Sequence, residues 1–345
     1  MPNPILTEAI DRVAGGEDLS ADEAGRVLHA IMGGEASEAQ AAAFLIALRT
    51  KGETVHEIAG LARTMRELAL RVDVGATGLV DTAGTGGGRP TFNVSTTAAL
   101  IAAGAGCRVA KHGNRSATSQ CGSADVLEAL GASIDLHPEA VAYCIESIGF
   151  GFMFAPRHHM AMRHVIPVRK ELAVRTVFNF LGPLTNPAGA TRQVIGVADG
   201  RYLETIAAAL GELGTESALV VSSADGLDEF SVSGTTSVVE LRDGKLDSYD
   251  VAPEKLGIEP VADGAVGAGT PDQNAEVVRR VLSGATGPER SLAVLNGGAA
   301  IYVGGEAASI EEGVRRAEEA IDSGAGREVL ERFVERTREL TGSPA

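Results

Sequence analysis

The sequence predicts an α/β protein in two parts: a small N-terminal helical domain, then a larger α/β domain with a mainly parallel sheet. Two observations carry this. Over residues 1–72 the only periodicity is helical, with apolar residues recurring at three- and four-residue intervals behind start signals. From residue 73 to 345, short apolar runs ending in glycine-rich turns alternate with helical patterns, the signature of layers built on parallel strands. A length of 345 residues suits two parts, since a domain usually takes roughly 100–200 residues.

In the helical part, Ser20 with Glu23, Ser37 with Gln40 and Thr54 with Glu57 each fit a capping box. There a hydroxyl and a longer polar side chain satisfy free backbone amides reciprocally. Each precedes an apolar-periodic stretch, for example Ala24, Val27, Leu28 and Ile31. Gly33, Gly34 and Gly52 fall where the helices should stop. Beyond it, strands are expected at Gly78–Thr82, Arg108–Lys111, Ser133–Asp135, Gly151–Phe154, Gln193–Val197, Ala218–Ser222 and Ser291–Leu295. Ser237–Leu241 and Leu246–Val251 flank Asp243-Gly244, a favoured hairpin turn. Helices should close the chain near 308–323 and 326–340, and a segment near 165–185 is expected to return to the helical domain.

The formal net charge of −16 argues against a nucleic-acid binder, which normally carries a basic face. No apolar run reaches the roughly 18 residues that a membrane span needs, and no signal peptide is expected from MPNPILTEAIDR. Cys107, Cys121 and Cys144 are odd in number and form no C-x-x-C pair, so neither a disulfide framework nor a zinc site is expected, and a cytoplasmic location fits.

Three segments at strand ends carry chemistry. The first runs from Asp81 to Thr96 and holds Gly84, Gly86, Gly87 and Gly88 before a helix start at Asn93, Ser95 and Thr96. Glycines present bare amides, and amides at a helix N-terminus bind anions. The plain alternative is a strand–turn–helix joint with Ser95 or Thr96 as N-cap. The second runs from Lys111 to Asp125 and delivers Lys111, Asn114, Arg115 and four hydroxyl residues onto one loop. That donor density suits phosphate and ribose oxygens. Ser123 is expected to cap the following helix, with Asp125 structural in its first turn and His112 a buried ring. The third, Asp225 to Phe230, places Asp228 and Glu229 side by side, and such hard oxygen ligands suit Mg²⁺ against substrate phosphates. A solvated acidic turn is the competing reading. Arg175 reads either as a helix-surface partner of Glu171 or as a fork for a substrate carboxylate. The spacing of His158, His159 and His164 does not suit a metal site.

In this order, the GTGG loop with NVST, KHGNRS…GSAD, RTVFNFLGPLTNP, DGLDE and GGAAIYVGG resemble anthranilate phosphoribosyltransferases nearly end to end. The resemblance implies a nucleoside phosphorylase/phosphoribosyltransferase-like fold. It implies that phosphoribosyl pyrophosphate is held by Gly84, Gly87, Gly88, Thr91, Asn93, Val94, Ser95, Thr96, Lys111, His112, Gly113, Asn114, Arg115, Ser116, Ser119 and Ser123. Anthranilate would touch Gly84, Asn114 and Arg175, and Mg²⁺ would bind at Ser95, Asp228 and Glu229. Lys111 and Arg175 would carry the catalytic roles. A homodimer joined through the helical domain, and a hinge closing over the substrates, are further implications.

Two departures stand out. The family's Gly-Thr-Gly-Gly-Asp is Gly-Thr-Gly-Gly-Gly here, ending at Gly88, and the loop is one residue shorter before Thr91. Arg89 is new there and within reach of a phosphate by sequence position; Met160 stands where a proline often follows the two histidines. The rivals are a pyrimidine nucleoside phosphorylase, a transferase with another aromatic acceptor, and a non-catalytic nucleic-acid binder.

Overall fold

Four helices open the chain in the computed structural model, which describes residues 2–116 and 120–342. They are α1 (Pro4–Ala14), α2 (Ala21–Met32), α3 (Glu38–Lys51) and α4 (Val55–Glu67). The boxes at Ser20/Glu23 and Thr54/Glu57 form with both reciprocal bonds. At Ser37 only half a box forms. The hydroxyl accepts from Gln40 N, but the Gln40 side chain exchanges two bonds with the Asn3 backbone at 2.9 Å each. Gln40 therefore ties α3 to the start of α1.

The remainder alternates: β1 (Val80–Gly84), α5 (Val94–Gly104), β2 (Val109–Gly113), α6 (Ser123–Leu130), α7 (Pro138–Ile148) and β3 (Phe150–Phe154). Then come α8 (Ala155–His158), α9 (Ile166–Leu172), α10 (Phe178–Leu184), β4 (Arg192–Gly196), α11 (Leu203–Glu212) and β5 (Ser217–Ser223). The hairpin β6 (Thr236–Arg242) and β7 (Lys245–Val251) leads to α12 (Pro271–Leu282), α13 (Pro288–Val303), α14 (Ile310–Asp322) and α15 (Ala325–Gly342). The sheet order is β3-β2-β1-β4-β5-β6-β7, parallel from β3 to β5 and antiparallel beyond.

Two expected strands fail. Ser291–Leu295 lies inside α13, buried on nearly every side, and an all-apolar run does not distinguish a buried helix from a buried strand. Ser133–Asp135 forms no strand; Ile134 and Leu136 pack inward while Ser133 N donates to Thr337 Oγ1 of α15. Its alternation is met by helix packing rather than by a ladder.

Period-two alternation in the central strands decides what covers each face. Val194, Leu219, Val221 and Val238 face a core shared with α5, α13, α14 and α15. Ile195, Ala218, Val220 and Val239 face the opposite core, which α2, α3, α4, α10 and α11 complete. The 165–185 segment reaches the helical bundle, with α9 against α3 and α10 against α4.

Candidate active site

The crossover reverses direction between β1 and β4, and both strands end there in glycine, Gly84 and Gly196. Ligands bind in α/β sheets at such a switch point, beyond the carboxyl ends of the strands. The glycine loop leaves β1 here and is stitched to β4 by Thr85 N donating to Gly196 O at 2.8 Å.

The acidic loop after β5 closes onto this loop. Gly86 N donates to Asp228 Oδ2 at 3.1 Å. A Cβ on Gly88 would lie 2.5 Å from Asp228 Oδ1, and one on Gly196 would lie 1.5 Å from the Asp228 carbonyl oxygen. The glycines are thus required by close approach to Asp228. Burial raises the Asp228 carboxyl above its ordinary range, and burial with Asp228 alongside raises Glu229 well above its own. Glu229 Oε1 accepts from Ser95 N at 3.2 Å in the first turn of α5, while its buried Oε2 has no partner among the described residues. The acidic pair is therefore no solvated turn. Asn296 fixes it from α13 by exchanging two bonds with the Phe230 backbone.

Lys111 comes off β2 and is buried. Its ammonium donates to Thr82 O, to Thr82 Oγ1 at 3.2 Å and to Ser95 Oγ at 3.3 Å. Burial pulls it down to about 8, although Asp81 and Glu229 oppose the shift. Asp81 is itself pushed up by burial; it accepts from His112 N at 3.1 Å and Asn186 Nδ2 at 2.7 Å. Lys111 thus supports the α5 start from below.

The other expected residues divide. Asn93, rather than Ser95 or Thr96, occupies the N-cap of α5, without a side-chain cap bond; its amide meets Cys121 O and Asn274. Val94 is core, so only its backbone is available to a ligand. Thr96 is buried with its hydroxyl unpartnered among the described residues, and Thr91 Oγ1 donates to Phe92 O. Gly113 ends β2, where a Cβ would strike Ser123 Oγ. Gly122, not Ser123, is the N-cap of α6, and Ser123 Oγ donates to Asn114 O. Asp125 is structural, accepting from Gly122 N, Ser116 N and Arg115. Arg115 also bridges Glu128 and sits over the Phe154 ring. Ser119 lies outside the described residues.

Arg175 makes no helix-surface pair with Glu171, because α9 stops at Leu172 with Ala173 in the left-handed region. Its guanidinium donates to Gly86 O at 2.7 Å and Thr85 O at 3.3 Å, so it holds the glycine loop. Arg169 is the residue that sequence reasoning missed. It lies over the Phe178 ring at 5.7 Å, makes no ion pair with an acid among the described residues, and is pulled below its ordinary range by burial alone. A desolvated guanidinium without an anion is a site for one. Its heptapeptide IPVRKEL offered only a surface-like charge pattern, so nothing local marked it. His112 Nδ1 donates to Gly182 O at 3.3 Å, and His158 Nδ1 donates to Leu70 O at 2.8 Å. The His112 and His159 rings are 5.0 Å apart.

Residues 7–69 match the model of the glycosyl transferase family helical bundle domain, and residues 76–327 match its a/b domain. An anthranilate phosphoribosyltransferase of Rubrobacter xylanophilus is 55% identical over 99% of this chain and 100% of its own. The Thermus thermophilus anthranilate phosphoribosyltransferase superposes with a TM-score of 0.91 at 46% identity, covering 96% of this chain and 99% of that one. The Saccharomyces cerevisiae enzyme in complex with PRPP and Mg gives 0.89 at 28% identity, over 97% and 98%. With this likeness running through both the helical bundle and the strand-end loops, the chain belongs to the anthranilate phosphoribosyltransferase family.

Proposed function

We propose that the protein transfers the phosphoribosyl group of phosphoribosyl pyrophosphate to anthranilate. The products are N-(5-phosphoribosyl)anthranilate and pyrophosphate, in L-tryptophan biosynthesis. The observation that carries the reading is the meeting of an amide-rich glycine loop, the α5 start and the Asp228–Glu229 pair at the β1/β4 switch point.

The reaction is displacement at the anomeric carbon. The bond to pyrophosphate oxygen breaks, the anthranilate nitrogen bonds to carbon, and the nitrogen then loses a proton. Glycine-loop amides and the α5 N-terminus would receive the pyrophosphate oxygens, and such pre-set dipoles stabilise developing charge. Lys111 adds a buried positive charge beside Ser95. Holding two substrates in one cleft supplies the other large contribution. No strong base is required, since the amine becomes acidic once bonded to carbon. Burial keeps the thiols protonated, with Cys107 raised to about 12 and Cys121 and Cys144 to about 11, so none is an activated nucleophile.

Ser95, Asp228 and Glu229 would hold Mg²⁺, and the unpartnered Glu229 Oε2 fits that role. Bound there, Mg²⁺ would offset charge on the departing pyrophosphate. Replacing both Asp228 and Glu229 by Ala is expected to lower turnover about 100-fold, the scale of losing one electrostatic stabiliser. Unchanged turnover at saturating Mg²⁺ would remove the metal assignment.

The acceptor carboxylate is assigned to Arg169 with Arg175, the first being a partly buried guanidinium that makes no ion pair with an acid among the described residues. The test is loss of anthranilate fluorescence when phosphoribosyl pyrophosphate and Mg²⁺ are added. Arg169→Ala should raise the anthranilate KM about tenfold or more, as for a lost charged hydrogen bond. Arg175→Ala should raise the KM of both substrates, because it also holds the loop. No fluorescence loss at any Mg²⁺ concentration would bring forward phosphate-dependent cleavage of a pyrimidine nucleoside. A homodimer joined through the helical bundle, where Ile5 of α1 is exposed, and a cytoplasmic location complete the proposal.

A further inference from the structure

We propose that Arg89 is a positioning residue that clips the glycine loop to the acidic loop before any substrate arrives. The inference extends the proposed phosphoribosyl transfer and rests on that reading of the cleft.

Two segments far from Arg89 in sequence meet at its one guanidinium. Arg89 Nη2 pairs with Asp225 Oδ2 at 2.9 Å, and Nη1 pairs with Asp263. Its backbone N donates to Gly226 O at 2.7 Å. Asp225 is no loose partner. It accepts from Ser223 Oγ at 2.6 Å and Ser231 Oγ at 2.7 Å, and its side chain is only 8% exposed. The segment bearing Asp263 is anchored to the same region by Val261 N donating to Val232 O at 3.0 Å.

The clip acts one residue from the contact that matters. Gly88 precedes Arg89 and touches Asp228 so closely that no Cβ fits. Arg175 grips the loop on its other side, at Gly86 O. Between the two arginines the Gly86 amide is held against the Asp228 carboxylate, with Gly88 packed closely beside it. With the loop fixed in advance, less ordering cost falls on the binding of the donor.

The alternative is that Arg89 touches the donor phosphates directly. Its two forks already face two carboxylates, so the readings predict opposite signs. If Arg89 works through its acids, Asp263→Asn weakens the clip and donor binding falls. If Arg89 is a phosphate ligand, Asp263→Asn frees the guanidinium and donor binding strengthens.

The experiment has two readouts. The first is amide hydrogen exchange over residues 85–91 in the ligand-free protein, for wild type, Arg89→Ala, Arg89→Lys and Asp263→Asn. Exchange should accelerate about tenfold in Arg89→Ala, from losing roughly one well-formed ion pair, and less in the other two. Equal exchange in Arg89→Ala and wild type overturns the clip. The second is calorimetric binding of Mg²⁺–phosphoribosyl pyrophosphate without anthranilate, alongside steady-state rates. The affinity of Arg89→Ala should fall about tenfold with kcat within about twofold, and Arg89→Lys should recover part of the loss. Tighter binding by Asp263→Asn, or a fall in kcat at unchanged donor affinity, overturns the proposal. Asp263 is 74% exposed, so its substitution leaves the fold intact. Failure of the wild type to bind the donor would sink the transferase reading instead, while the exchange result would still decide the clip.

Discussion

His112, His158 and His159 are all buried, and burial lowers all three; His159, beside His158, falls to about 4. A group held neutral in the fold takes up its proton on unfolding. The stability it contributes is therefore complete above about pH 6.5 and is lost as pH falls toward about 4. For His159 the full span, from 6.5 to about 4, is worth on the order of 3 kcal/mol. The buried carboxyls Asp81, Asp228 and Glu229 act with the opposite sign, so the informative comparison is at matched pH. His159→Phe is expected to flatten the fall in urea midpoint between pH 7 and pH 5; an unaltered slope would show that this ring does not carry the effect. At this scale the sequence revealed donors but not their partners. The strand-end position of Lys111 and the Asp228–Glu229 pair could be read from glycine and acid spacing. The link from Arg175 to Gly86 could not, because it depends on α9 ending at Leu172 and turning through Ala173.

The starts of α2 and α4 were the most legible elements, because a capping box is a local exchange of bonds, whereas at α3 Gln40 turns to the distant Asn3 and at α5 and α6 the caps are Asn93 and Gly122. Glu57 shows where locality ends. Beyond its box it accepts from Leu19 N at 3.0 Å and pairs with Lys51 at 3.0 Å, fully buried. Glu57→Gln should cost about 3 kcal/mol by leaving buried donors unmatched, and Thr54→Ala about 1 kcal/mol for the cap. Urea midpoints for the two variants check the order. The β6–β7 hairpin was equally local: Asp243 and Gly244 both take positive φ, 50° and 74°, as the primed turn requires. The helices α7 and α12 carry start signals of the same local kind, Pro138 and the Thr270/Gln273 box with Pro271.

Across the whole molecule, composition and alternation sufficed for two layers but not for the strand order. Which strand neighbours β1 is set by the helices crossing each face, and no local pattern encodes the reversal between β1 and β4. The bundle is joined to the sheet more closely than its sequence suggests, because α2, α3 and α4 share one core with α10, α11 and the inner face of β4 and β5. A fragment of residues 1–72 alone is accordingly expected to lack cooperative unfolding and to bind a hydrophobic dye; a sharp thermal transition would refute this. The shared core also bears on synthesis. The first helices leave the ribosome long before α9, α10 and α11, which pack against them, are made. At translation speeds of roughly 5–20 residues per second, the stretch from the end of α4 to the end of α11 leaves the nascent bundle's apolar face uncovered for about 7–30 s. During that interval a chaperone, or a second nascent copy, is the natural cover for the face of α4 that α10 and α11 later occupy.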